Sequence, residues 1–235
     1  LITGKLIHVD ETSISIRGID SKGYVWILSN MTTAVFIFRS TRETAFLKKL
    51  LTEFKGTLVS DFFPGYDNMK CLQQKCLIHL IRDLNDDLYK NPIDENYKHL
   101  VIKFGELLNT IVATVNNKGL KKRYLRKHLK EVNNFYKWLN DLSVQSDLFN
   151  KYRKRFSKNK GKLFLFLEKD GIPWNNNNAE HAIKHFASYR KNVNGLFNIK
   201  SIDQYLILLS IYQTCNYRNV DFLQFLRSRN KKIII

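Results

Sequence analysis

The sequence is short of acidic residues, of cysteine and of long apolar runs, and each shortage excludes a class of protein. Asp and Glu total 21 against 39 Lys and Arg, so the formal charge is +18 and a polyanionic partner is favoured, nucleic acid first. Three cysteines, odd in number and unevenly spaced, argue against a disulfide framework and for a reducing compartment. No apolar stretch reaches the roughly 18 residues that cross a bilayer, and no secretory signal opens the chain. We therefore expect a cytoplasmic protein that makes no membrane contact.

The first third of the chain has the pattern of a sheet with one crossover helix. β-branched and aromatic runs predict an antiparallel meander of three strands, over 5–16, 24–29 and 34–39. Apolar residues at helical spacing over 41–54 then precede a fourth strand over 56–61. A helix between the third and fourth strands makes the fourth parallel to a strand already in the sheet, with the first strand as its natural neighbour. With a short fifth strand over 76–79, we predict an α/β fold with a mixed five-stranded sheet flanked by helices.

The middle of the chain is predicted to be a basic helical insertion. Helical patterns there alternate with K-K-R-Y-L-R-K-H-L-K and K-Y-R-K-R-F. A solvated helix surface usually mixes charges of both signs, so a nearly uniform positive sign favours contact with phosphate. We predict a first part of the core over 1–90, the insertion over 91–165, and a second part of the core with C-terminal helices over 166–235. Because a strand pattern begins almost immediately after Leu1, we expect the sequence to be part of a longer protein.

Three carboxylates stand at positions where function or simple structure explains them equally well. Asp10 lies in the first strand and Asp61 ends the fourth, where an acid is also a common turn residue. Glu180 follows W-N-N-N-N-A in the first turn of a helix, where the helix dipole alone favours an acid. Parallel first and fourth strands would bring the two aspartates together. Two carboxylates so near each other repel unless a cation lies between them. Oxygen ligands suit Mg²⁺ or Mn²⁺, and three acids can hold two such ions for phosphoryl transfer.

Four blocks, in their order and spacing, resemble the catalytic domain of the IS66-type insertion-sequence transposases: H-V-D-E-T, V-S-D-F-F-P-G-Y, C-L-I-H-L-I-R-D-L, and N-N-A-E-H-A-I-K followed by Y-R-K-N. The resemblance implies a ribonuclease H-like fold with a metal-binding triad of Asp10, Asp61 and Glu180. It also implies divalent-metal-dependent cleavage and strand transfer at the ends of a mobile element. The implied partner is double-stranded DNA, of the element ends and of the target. A homo-oligomer on DNA and a prokaryotic, nucleoid-associated location complete the expectation.

Two departures from the family pattern concern contacts with DNA more than the chemistry. The residue after Glu180 is His181, where the family commonly has arginine, and V-N-G-L-F follows Asn192 in place of the usual pattern. Both positions either touch DNA or pack in the core.

Further residues are candidates for DNA contact: His79, Arg82, Lys184, Arg190 and Lys191. A buried, hydrogen-bonded histidine and solvated charges are the structural alternatives for them. The Cys76-x-x-His79 spacing has no second ligand pair, which disfavours zinc. The neighbouring Asn177 and Asn178 either cap the last catalytic helix or orient Glu180.

Two other functions keep the same fold. One is a ribonuclease H-like nuclease that only hydrolyses its substrate. The other is a non-catalytic transposase remnant that binds DNA, against which the intact triad argues. Joining of a pre-cut 3′ end to a second duplex separates a transposase from a hydrolase, and metal-independent binding without product identifies the remnant.

Overall fold

The computed structural model describes residues 1–192 and 196–233 and has an α/β architecture. The strands are β1 (Leu6–Ile16), β2 (Ile19–Ser29), β3 (Ala34–Arg39), β4 (Thr57–Ser60), β5 (Leu72–Lys75) and β6 (Leu196–Phe197). The helices are α1 (Ala45–Leu50), α2 (Leu77–Lys90), α3 (Glu95–Lys118), α4 (Lys122–Leu125), α5 (Leu129–Asp141), α6 (Asp147–Lys158), α7 (Lys160–Leu163), α8 (Asn177–Asn192), α9 (Ile199–Tyr217) and α10 (Phe222–Ser228). The chain forms two compact units, one of residues 1–72 with 176–235 and one of residues 73–175.

The sheet of the first unit is built around β1, its longest strand together with β2. β1 pairs antiparallel with β2, and β2 pairs antiparallel with β3, so the predicted meander is confirmed. β4 pairs parallel with β1, from Leu6 opposite Thr57 to His8 opposite Val59, which confirms the crossover through α1. β6 adds a short parallel pairing to the far end of β1. The mixed sheet with helical cover is therefore as predicted, and its assignment to the ribonuclease H-like folds stays a prediction.

Side-chain alternation along β1 supplies apolar residues to both faces of the sheet. On one face, Ile7 and Val9 belong to a buried cluster that includes Leu47 of α1. On the other face, Ile14 and Ile16 belong to a cluster with residues of α8 and α9. The first unit is therefore a sheet held between α1 and the α8–α9 pair, which is the arrangement that brings α8 to β1.

Three elements differ from the sequence prediction. The strand predicted over 24–29 is β2, which begins at Ile19 because its first residues continue the pairing with β1. The helix predicted over 41–54 is α1, six residues long, because Phe54 donates its N–H to the Leu51 carbonyl at 3.1 Å in a tighter turn that ends the helix. Leu51 and Phe54 are nevertheless buried, so the apolar spacing marked the core correctly. The strand predicted over 76–79 is wrong. The strand β5 ends at Lys75, and Cys76 is the extended N-cap residue of α2, whose buried residues recur at helical spacing.

The second unit is helical and has an aromatic core of its own. Phe156 lies with its ring centroid 5.0 Å from Phe104 and 5.3 Å from Phe135, so three helices meet at one aromatic cluster. The unit spans residues 73–175 and contains the whole predicted insertion, while the functional division at 90 and 165 stays a prediction. Within the part of the chain that the structure describes, no helix combines the length and the apolarity that crossing a membrane requires.

Candidate active site

Asp10 and Asp61 come together through the parallel pairing of β1 and β4. The register places His8 opposite Val59, and continuing it by two residues places Asp10 beside Asp61. Both acids are half-buried, and Asp61 follows β4 directly. One Asp61 oxygen, Oδ1, accepts the Phe63 N–H at 2.9 Å, so this aspartate does form the turn that the sequence allowed. A turn role and a place in the acidic cluster are compatible, because a carboxylate has two oxygens.

Glu180 reaches the same cluster from the first turn of α8. The residue before this helix, Asn176, is fully buried, and its carbonyl accepts the Glu180 N–H at 3.2 Å. Its side-chain Nδ2 donates to the Val9 carbonyl at 2.9 Å, and its Oδ1 lies 3.0 Å from His8 Nδ1. Asn176 therefore connects the start of α8 to His8 and Val9, the two residues of β1 that precede Asp10. These bonds fix the position of Glu180 relative to β1.

The four consecutive asparagines have different roles, which the sequence did not separate. Asn178 accepts the Ser29 hydroxyl at 2.6 Å and so contacts β2. Asn176, which sequence reasoning did not single out, makes the bonds to β1. A run of identical residues carries no information on which one is buried, so only the packing of α8 on the sheet distinguishes them.

The pKa of Asp10 is affected by the other acids of the cluster. Its pKa is raised from 3.8 to about 7, first by burial and then by repulsion from Glu11, Asp61 and Glu180. The Glu11 backbone N–H donates to Asp10 Oδ1 at 2.9 Å and opposes this rise. Residues distant in sequence thus act electrostatically on one carboxyl group, as the predicted triad requires.

Glu11 is a fourth acid of the cluster, and sequence reasoning missed it. Its side chain is only 2% exposed, and Oε1 accepts the Arg42 Nε–H at 2.9 Å. Its Oε2 accepts the hydroxyl of Tyr66. Tyr66 is itself fully buried. Alternation along β1 directs Glu11 away from the face of Asp10, so Arg42 and Tyr66 hold it on the α1 side of the sheet.

Titration of Glu11 and its partners reflects this burial. Burial raises the pKa of Glu11, while the bonds from Tyr66 and Arg42 lower it. The pKa of Tyr66 lies well above 10.0, because of burial and the neighbouring carboxylates Glu11, Asp61 and Asp10. Glu11 therefore has a dedicated cation and a dedicated hydroxyl, in contrast to Asp10, which is bonded by a backbone N–H.

His8 stands two residues before Asp10 and is held neutral. Its ring is 2% exposed, and burial lowers its pKa to about 4, against a smaller rise from the Asn176 hydrogen bond. A neutral imidazole adds no positive charge to the acidic cluster, so it does not offset the repulsion at Asp10.

The predicted DNA-contacting residues of α8 fall into two groups. Lys184 and Lys191 are exposed. Arg190 is half-buried, and its Nη1 donates to Thr12 Oγ1 and to the Ser13 carbonyl, each at 2.8 Å. Arg190 therefore fastens α8 to β1, whatever else its guanidinium contacts. His181, one of the departures from the family pattern, is exposed, and the V-N-G part of the other departure lies outside the described residues.

The remaining two candidates, His79 and Arg82, lie on α2 of the second unit. His79 is half-buried and Arg82 is exposed. Their roles in binding DNA stay predictions.

Comparison with models of protein families identifies a family for the chain. A model of the transposase IS66 family matches residues 1–201. Among curated proteins, none matches the chain. The matched region includes all three acids of the predicted triad.

Proposed function

Since the chain belongs to the IS66 family of transposases, we propose that Asp10, Asp61 and Glu180 form its catalytic centre for DNA cleavage and strand transfer. Family membership implies DNA as the partner. The proposal concerns the chemistry: a polynucleotidyl transferase that cuts at the ends of a mobile element and joins the 3′ ends to target DNA.

One observation carries the proposal, namely the parallel register of β1 and β4, which places Asp10 beside Asp61, with Glu180 close enough to act on Asp10. A carboxyl group that titrates near 7 beside three other acids is unfavourable in a protein that has no use for the cluster. A divalent cation relieves this repulsion, and carboxylate oxygens are the ligands that Mg²⁺ and Mn²⁺ prefer. The residues present therefore fit the metal that the family implies.

Asp10, Asp61 and Glu180 would hold the two ions. When bound, such ions supply an activated water or 3′ hydroxyl and stabilise the negative charge of the leaving 3′ oxygen. The protein contributes position. Asn176 ties the start of α8 to the backbone of β1, which keeps Glu180 in register with Asp10.

Arg42 and Tyr66 also contribute position, through their hydrogen bonds to Glu11. Because both oxygens of Glu11 accept hydrogen bonds, we infer that it is a supporting residue and not a metal ligand. Its partners keep this fourth carboxylate in one place, so that its effect on Asp10 is constant.

The test is a cleavage and strand-transfer assay with element-end duplexes, Mg²⁺ or Mn²⁺, and the longest natural form of the chain. Joined products that disappear in Glu180→Gln while DNA binding persists support the proposal. Asp86→Asn, which changes an exposed acid of the second unit, is the matched control and should retain activity.

Other outcomes select other functions. Nicked products that are never joined to a second duplex indicate a ribonuclease H-like hydrolase. DNA binding without any product, with or without metal, indicates a remnant. Full activity in Glu180→Gln removes Glu180 from the mechanism.

A further inference from the structure

The two basic stretches of the second unit look alike in sequence but differ in the structure. In the stretch over 151–156, three of the four cations have partners within the protein. Lys151 Nζ lies 2.9 Å from Asp87 Oδ2, and Arg155 Nη2 lies 2.7 Å from Asp83 Oδ2. Arg153 donates to the Leu142 carbonyl at 2.7 Å. These side chains stabilise the packing of α6, and the charges of Lys151 and Arg155 are compensated by acids of α2.

The stretch over 121–130 is different. Lys121, Lys122, Arg123 and Arg126 are all exposed, and in the described part of the chain none of the four forms an ion pair. They line a surface cleft of about 720 Å³, which we call the Lys121 cleft. Four cations within six residues repel one another, so their concentration at one cleft needs an anion to balance it.

The one acid of the cleft is already engaged. Asp170 Oδ1 accepts the backbone N–H of Lys122 at 2.6 Å, which secures the start of α4. Behind it, the Gly171 N–H donates to the Leu120 carbonyl at 2.8 Å, with Gly171 at a positive φ of 72°. The cleft therefore has a defined backbone floor. With four cations against one carboxylate, its net charge is positive.

The floor is also anchored to the core of the second unit. Leu125, in the middle of the basic stretch, is fully buried. His128 is buried. Its Nε2 lies 2.8 Å from Thr114 Oγ1 of α3, and its Nδ1 lies 2.9 Å from Glu131 Oε2. Arg123 lies over the Tyr124 ring at 4.5 Å, which restricts one of the cationic side chains. The cations thus extend from a fixed helical segment and not from a free tail.

We propose that the Lys121 cleft is a binding site for the phosphodiester backbone of DNA. The inference rests on the proposed function for the identity of the polyanion. Lysine and arginine at an open surface bind phosphate without reading bases, so the site would add affinity that does not depend on sequence. None of its residues is among the acids of the first unit or the five residues predicted to contact DNA.

The experiment compares two triple variants of the full chain that each lose three positive charges. The cleft variant carries Lys121→Gln, Lys122→Gln and Arg126→Gln. The paired variant carries Lys151→Gln, Arg153→Gln and Arg155→Gln. Binding of a labelled duplex of random sequence is measured by fluorescence anisotropy in EDTA, over about 50 to 200 mM salt.

Each phosphate contact contributes about 0.9 to the slope of log affinity against log salt, so the cleft variant should lose about 2 to 3 from the slope. The paired variant should lose less than about 1. Equal slopes in the two variants would overturn the proposal, because net charge alone would then explain binding.

Where a triple variant does not fold, two single substitutions are compared instead. Lys122→Gln should lower the slope by about 0.9, and Lys151→Gln, which removes a lysine paired with Asp87, should leave it unchanged. The reverse result contradicts the proposal. Because the measurement is made without metal, inactivity of the catalytic centre would leave the slope difference intact, so the two proposals fail separately.

Discussion

Replacing Asp10 by asparagine should stabilise the metal-free protein at the cost of its proposed chemistry. The pKa of Asp10 rises from 3.8 in the unfolded chain to about 7 in the folded protein. At 1.36 kcal/mol per pKa unit, the ionised carboxylate then costs about 4 kcal/mol of folding free energy above pH 7. Asparagine removes the charge and keeps an oxygen to accept the Glu11 N–H, so we expect a gain of about 2 to 4 kcal/mol.

The pH dependence identifies the source of the gain. Between the unfolded and folded pKa values, the folded protein retains a proton on Asp10 that the unfolded chain has lost, so stability falls as pH rises from about 4 to 7. Burial of neutral His8 has the opposite sign, because lowering the pH towards 4 favours the unfolded chain. Both proteins retain His8, so the difference in unfolding free energy between wild type and Asp10→Asn isolates Asp10.

Urea unfolding in EDTA, followed by circular dichroism at several pH values, measures this difference. The gap should be small near pH 4 and largest near pH 8, and Asp86→Asn should show no such trend. Millimolar Mg²⁺ should stabilise wild type more than Asp10→Asn, because a ligand stabilises only the form that binds it. A variant that is less stable than wild type at pH 8, or a gap independent of pH, would refute the claim that burial and the neighbouring acids disfavour the charge on Asp10.

Four further substitutions test three supporting contacts and one predicted DNA contact. Asn176→Ala should lower the unfolding free energy by about 2 to 4 kcal/mol, because it leaves two buried partners without their hydrogen bonds; a urea-measured loss below about 0.5 kcal/mol would contradict this. Tyr66→Phe should cost about 1 to 3 kcal/mol by the same measurement, because Glu11 loses a buried donor, and an unchanged midpoint would argue against the bond. Arg190→Met should lower the melting temperature and leave the salt slope of DNA binding unchanged. Lys191→Met, its exposed neighbour, should leave the melting temperature unchanged and, if Lys191 contacts DNA, lower the salt slope by about 0.9.

Local patterns predicted the strands of the first unit well. β-branched runs marked β1, β2 and β3, and the order of elements implied that β4 lies parallel to β1. The prediction of helix bounds was weaker, because apolar spacing indicates which residues are buried but not which are in a helix. The apolar spacing over 41–54 marked buried residues correctly, but α1 is shorter, because burial of Leu51 and Phe54 does not require them to be helical.

The sequence by itself determined the excess of positive charge, the pattern of the sheet and the three acids at strand and helix positions. Tertiary structure decided the partners. Glu11 was absent from the sequence-based set because its bonds come from Arg42, 31 residues away, and from Tyr66, 55 residues away. Both basic stretches are rich in Lys and Arg, yet only one has cations, Lys151 and Arg155, that pair with acids of α2. Which charges meet depends on contacts between residues far apart in the chain, and local propensity contains no information on such contacts.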